Sequence, residues 1–276
     1  MFESLKLVLS DKELLQVNTV ISPMGINSYL LEETNALEVK GVEKENPDKI
    51  VVIGDLVGLG PEPGEIVQHF MDKPWIDVVV GNVDLWVTRK VWETTKPKSP
   101  HQEWMFRMME MTRQRLNDSQ IEWLDKRPFS ITYSQDLGHD FHIFHGTPYD
   151  IGDNDAFPFR LTDDEIAEKL KGYDYDVMAH GHIHGPSVRN IPRSDGKQQQ
   201  LVCAAAVGMS WDGDPRPSYA VVEYMSNGKW NCRAERVEFD SEEQAKFNEN
   251  SWIEHGERIA GMIRSGQFWN PSHMPH

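Results

Sequence analysis

A chain of 276 residues, 39% hydrophobic and 26% charged, is long enough to bury one sizeable core and has the balance of a globular protein, not of a disordered or fibrous one. Its net charge of −16 opposes non-specific binding to nucleic acid or anionic membrane, so an anionic substrate would need a local cation such as a metal ion. Cys203 and Cys232 lack metal-type spacing and point to a reducing cytoplasm, while no stretch reads as a signal peptide or approaches the ~20 apolar residues that span a bilayer.

Residues 1–16 mix apolar and charged positions and read as an extension before one domain over 17–266. VNTVIS at 17–22 reads as the first core strand, and a helical pattern follows over 28–45, ended by Asn46-Pro47. IVVI at 50–53 is a short continuous apolar run, the mark of a strand covered on both faces. It runs into Gly54-Asp55 and the loop LVGLGPEP, placing a carboxylate at the carboxyl end of a central strand, where open α/β sheets bind ligands. A helix over 62–71 and a strand over 76–80 complete β-α-β-α-β, for which parallel pairing is expected.

Ser99, Ser119, Thr162 and Ser241 are each followed three residues on by Gln102, Glu122, Glu165 or Gln244, the spacing of a capping box, and each precedes an amphipathic segment. The first two predict a helical insertion over 99–126, whose Trp104, Phe106, Met108, Met109 and Met111 read as packing. After Pro128 the chain becomes strand-rich, with strands expected over 129–133, 140–145, 175–180, 187–191, 200–204, 218–224 and 229–239. Ser226-Asn227-Gly228 between the last two is a hairpin signal. The Pro- and His-containing tail over 267–276 is expected to be loosely held.

Four strand ends carry side chains able to bind metal: Gly54-Asp55, Gly81-Asn82, His145-Gly146 and His180-Gly181-His182-Ile183-His184. Each adjoins a glycine, where backbone turns sharply, and His182 and His184 at strand alternation point the same way. Oxygen ligands from Asp and Asn with imidazoles suit Mn, Fe, Zn or Ni. Asp150, Asp153 and Asp155 lack the glycine and terminal Glu of a calcium loop and read as a solvated loop; His139 and His142 read as structural.

The segments GDLVGLGPEPGE, VVVGNVDLWV, FHIFHGTP, AHGHIHGP and VGMSWDGDPRPSYAVVE, in that order, resemble the calcineurin-like metallophosphoesterases, most closely the small single-domain bacterial phosphodiesterases. The resemblance implies an α/β fold, a four-layer α-β-β-α sandwich around two mixed sheets with a dinuclear metal centre at the strand ends. It implies that Asp55 bridges two metals, that Asn82, His145 and His182 complete one site, and that His184 belongs to the other. It also places Asp55, Asn82 and Asp84 in the catalytic motifs, and Asn27, Trp211 and Arg216 along the pocket for a small phosphorylated substrate.

The chain departs from the family pattern in three places. Where the family has Asp-x-His-Gly-Asn, this sequence has Pro23, Gly25 and only a matching Asn27; the His of Gly-Asn-His-Asp is Val83; and Asn-Pro-Gly-Ser becomes Cys203-Ala204-Ala205-Ala206. One metal site keeps its expected ligands and the other retains Asp55 and His184, unless Asp11 and Glu13 substitute. A missing positioned acid typically costs about 100- to 10,000-fold in rate. Two readings follow: a hydrolase with one well-held ion and impaired turnover, or a non-catalytic relative that binds a phosphorylated ligand or a protein partner. Amidohydrolases also use His-x-His, but on an early strand, whereas this pair comes late.

Overall fold

The computed structural model describes residues 16–21, 47–135, 139–152, 157, 160–225 and 227–268. The helix expected over 28–45 lies outside them, as do Pro23, Gly25, Asn27, Asp11, Glu13, Asp153 and Asp155.

Among the described residues ten strands form two five-stranded mixed sheets. The first contains β1 (Gln16–Ile21), β2 (Lys49–Ile53) and β3 (Asp77–Val79), all parallel, as the β-α-β pattern requires. It is extended beyond β1 by β9 (Ser218–Tyr224) and β10 (Trp230–Arg236), which pair antiparallel. The hairpin joining them turns where expected, with Gly228 at φ 75° and the Met225 N–H donating to the Lys229 carbonyl at 2.8 Å. The second sheet has β5 (His139–Phe144), β6 (Val177–His180) and β8 (Gln198–Cys203) in parallel, flanked by antiparallel β4 (Ser130–Gln135) and β7 (Ser187–Pro192).

Strand alternation sorts the core into layers. Val51, Ile53 and Val79 of the first sheet meet Phe141, Ile143, Val177 and Val202 of the second, so the sheets pack face to face. Val52 and Val78 point the other way, into a cluster with helical residues such as Ile66, Met108, Met109 and Ile263. On the far side of the second sheet, Phe144, Met178 and Leu201 pack on Ile166 and Leu170. The order through the molecule is helix, sheet, sheet, helix.

Among the described residues the helices are α1 (Pro63–Met71), α2 (Asn82–Thr88), α3 (Val91–Thr94), α4 (Pro100–Arg113), α5 (Asp118–Asp125), α6 (Asp163–Lys169), α7 (Ser241–Glu249) and α8 (Gly256–Ser265). Ser99 and Thr162 cap α4 and α6 as their spacing predicts. Two expected caps are displaced. Asn117, not Ser119, caps α5, closing a box with Gln120, and Asp240, not Ser241, caps α7. Carboxylate and amide side chains cap as well as a hydroxyl, and here they come one or two residues earlier. Trp104, Phe106, Met108 and Met109 are buried in the helical layer, as packing residues should be. No helix of the described residues is long and apolar enough to cross a membrane.

Candidate metal centre

Strands β2 and β3 are parallel, as are β5 and β6, and the loops at their carboxyl ends carry the sequence-predicted side chains together. After β2 the chain enters the left-handed region at Gly54 (φ 70°) and stays there at Asp55 (φ 56°). After β3 it turns at Gly81 and starts α2 with Asn82. These two loops touch backbone to backbone. A Cβ on Gly81 would lie 2.1 Å from both the amide nitrogen and Oδ1 of Asp55, so only glycine permits the approach. His145 follows β5, His182 and His184 follow β6, and the Gly181 N–H donates to the His145 carbonyl at 2.9 Å, tying the two ends.

The side chains converge. Asp55, His145 and His182 place ligand atoms within 4.8 Å of one another. His145 Nε2 lies 3.1 Å from Asp55 Oδ2 and 3.0 Å from Asn82 Oδ1, and His182 Nδ1 lies 2.9 Å from the same Asn82 oxygen. The His145 tautomer follows from its other nitrogen, because Nδ1 sits 2.6 Å from the Ile53 carbonyl and must donate to it. With Nδ1 donating, Nε2 faces two oxygens: without a cation between them the ring takes a proton there, and a bound cation would take that proton's place. Separations of this size match neighbouring ligands on a six-coordinate ion with bonds of about 2.1 Å. Such a second bond from Nδ1 to a carbonyl also fixes the ring plane, as in protein metal sites generally.

Strain marks the same positions. Among the described residues six non-glycine residues have positive φ, and Asp55 and His182 (φ 63°) are two of them. Such conformations cost on the order of 1–3 kcal/mol each and persist where surrounding contacts enforce them.

Asp84 supplies part of that enforcement. Its carboxylate is fully buried and accepts the N–H groups of Asp55 at 2.8 Å, Gly81 at 2.9 Å and Val57 at 3.2 Å. Asp84, which the resemblance places among the catalytic motifs, has its oxygens taken by these three backbone donors and so ties the Asp55 loop to Gly81. Asp55 Oδ1 in turn accepts the Val83 N–H at 2.9 Å. Val83 contributes only that backbone group, since its side chain packs in the helical core beside Gly58.

Two buried carboxylates so close together make the site electronegative. Burial pushes Asp84 up to about 7, and the Asp55 charge adds to the rise. Burial also works to raise Asp55, but the adjacent His145 ring outweighs it and holds Asp55 below the usual carboxylate range. His145 moves the opposite way for the same reason: burial lowers it and the Asp55 charge raises it further.

The remaining predicted residues lie around this cluster. His184 is not among the three converging groups; its Nδ1 faces the Met209 carbonyl at 2.6 Å and its ring stacks on Trp211, centroid to centroid 3.7 Å. Arg216 is engaged by Asp214 at 2.6 Å and Glu238 at 2.8 Å. His142 is structural, stacked on Tyr175 with Nδ1 2.8 Å from the Thr132 hydroxyl. Sequence reading missed the carbonyls of Ile53 and Met209, which carry no side-chain signal, and Phe268, which packs against Trp211 from the C-terminal tail.

A family profile for the calcineurin-like phosphoesterase superfamily domain matches residues 32–227, more than half of the chain. Among solved structures the chain is similar to a metallophosphoesterase from Sphaerobacter thermophilus, at 20% identity and TM-score 0.67, over 92% of this chain and 100% of that one. It is also similar to a hypothetical protein from Pyrococcus horikoshii OT3, at 15% identity and TM-score 0.71, over 91% and 98% of the two chains. At these identities the likeness establishes a shared fold. None of the curated proteins matches the sequence.

Proposed function

Because the chain belongs to the calcineurin-like phosphoesterase superfamily, a family of metal-dependent phosphoester hydrolases, we propose that it hydrolyses small phosphorylated substrates with one well-held divalent ion. Asp55, Asn82, His145 and His182 would hold that ion. The observation that carries this reading is the convergence of His145 Nε2 on Asp55 Oδ2 and Asn82 Oδ1 at 3.1 and 3.0 Å while Nδ1 is committed to Ile53. When bound, a divalent ion there would supply Lewis acidity toward a phosphoryl oxygen and lower the pKa of water.

The chain's own groups do the rest. Asn82 and His145 fix where a phosphate oxygen is drawn, and the strained Asp55 and His182 backbones hold their side chains without further reorganisation. Asp84 keeps the Asp55 loop closed on Gly81. Val83 offers no proton to a leaving group, which supports slow turnover with protonation left to solvent. Manganese is the working choice of ion, given its tolerance of mixed oxygen and imidazole ligands. The cytoplasm is the working location, supported by two unpaired cysteines.

A phosphodiester and a phosphomonoester of 4-nitrophenol, assayed across Mn, Fe, Zn and Ni, test the reading. We expect slow, ion-dependent release of nitrophenol that falls at least about 100-fold in His182→Ala. No release with any ion would leave the second reading, a non-catalytic relative that binds a phosphorylated ligand or protein partner, which the core-facing Val83 side chain favours.

A further inference from the structure

Residues 56–61 lead from Asp55 toward α1 and are buried throughout. A buried loop must find partners for its main-chain polar groups, and this one finds them in side chains. At its start Asp84 accepts the N–H groups of Asp55 and Val57. Its carbonyls are taken by three donors of the helical layer. Thr112 Oγ1 of α4 donates to Gly58 at 3.0 Å, Asn248 Nδ2 of α7 reaches Leu59 at 3.4 Å, and Trp252 Nε1, between α7 and α8, donates to Pro61 at 2.6 Å.

Thr112 stands out among these. The other buried residues of α4 are Trp104, Met105, Phe106, Met108 and Met109, so its hydroxyl sits in an apolar stripe. A helical threonine ordinarily returns its hydroxyl to a carbonyl three or four residues back in its own helix. This one is fully buried and bonds to a residue 54 positions away. Gly58 is pinned at the same place: it has φ 142°, and a Cβ there would meet Val83 Cγ1 of α2 at 2.7 Å. The loop therefore lies between α4 and α2, the helix that begins with Asn82. The two outer donors are braced in turn, since Gln244 Nε2 donates to Asn248 Oδ1 at 2.7 Å and the Arg115 guanidinium covers the Trp252 ring at 3.7 Å.

This anchoring bears on the metal centre because Asp55 has φ 56°, a conformation that a non-glycine residue keeps only where its surroundings enforce it. Asp84 holds the loop by its amides; the helical layer holds it by its carbonyls. We propose that Thr112 is a positioning residue for the metal centre, which keeps Asp55 aimed at the ion by fixing the Gly58 carbonyl, with Asn248 and Trp252 acting in the same way further along the loop. The inference rests on the metal reading above and goes beyond it: the helical insertion and the C-terminal helices, which otherwise read as packing, set the affinity for the ion.

The test is calorimetric titration of Mn²⁺ into the full chain, with urea unfolding of the same samples. Thr112→Val keeps the volume and the β-branch and loses the hydroxyl; its Kd should rise about 10-fold, the lower end of the effect of removing a group that orients a metal ligand. Thr112→Ser, which keeps the hydroxyl, should bind as wild type does. Trp252→Phe keeps a ring and loses the N–H, so it should weaken binding, though less than Thr112→Val. Ile166→Val lies on the far side of the second sheet and should lower the urea midpoint without changing the Kd.

Wild-type affinity in Thr112→Val, binding in Thr112→Ser as weak as in Thr112→Val, or an equal loss in Ile166→Val would each overturn the inference and leave the metal reading standing. Where Thr112→Val fails to unfold cooperatively, wild-type affinity in Trp252→Phe overturns it. Wild-type protein that takes up no Mn²⁺ would overturn the metal reading and this inference with it.

Discussion

At the residue scale, the approach of Asp55 to Asn82 depends on two glycines. A Cβ on Gly81 would meet Asp55 backbone at 2.1 Å, and one on Gly54 would meet the Gly81 nitrogen at 2.3 Å; neither obstacle is a side chain that can rotate away. Gly81→Ala should therefore separate the two loops, with a loss of on the order of 2–4 kcal/mol in urea unfolding and loss of tight Mn²⁺ binding by calorimetry. A variant that binds Mn²⁺ like wild type would show that the loops do not need this contact. The ligand candidates themselves were legible because each ends a β-branched run beside a glycine. The groups that orient them were not: Ile53 and Met209 act through carbonyls, and the stacking of Trp211 on His184 depends on a loop path that the intervening positions do not encode locally.

At the scale of elements, long apolar runs and cap spacings identified most of the strands and the start of α4 and α6, whereas α2, α3 and α8 went unread. Helix α2 begins at Gly81-Asn82, a turn signal, and is only seven residues long; α8 opens with His255 in the left-handed region and no side-chain cap. Both are stabilised by what they bury, Val83 and Val87 in one and Ile259, Ala260, Met262 and Ile263 in the other, which is tertiary information. The corrected cap of α5 gives a direct comparison. Asn117→Ala removes the side chain that accepts the Gln120 N–H at 2.9 Å and should cost about 1 kcal/mol, while Ser119→Ala, which removes only a hydroxyl bonded to Asn117, should cost less than half of that. Chemical denaturation of the two variants decides, and equal losses would return the cap to Ser119.

At the scale of the whole molecule, an acidic chain carries buried neutral histidines that make its stability depend on pH. Burial pushes His142 from its ordinary 6.5 down to about 4. Between those values the unfolded chain binds a proton that the native chain refuses, so stability is full above pH 6.5 and declines as pH falls toward 4. The loss from this one ring is on the order of 3 kcal/mol. His142→Gln should flatten the fall in urea midpoint between pH 6.5 and 4 by one proton's worth; an unchanged slope would show that His142 is protonated in the native fold.

The central claim is that four side chains from two parallel-strand pairs make one good ion site in a family whose members use divalent metals. Equilibrium dialysis of full-length protein against Mn²⁺, with elemental analysis of the bound ion, tests it most directly. The account predicts one tightly held ion per chain, lost in His182→Ala. Two equally tight ions, or none, would contradict it.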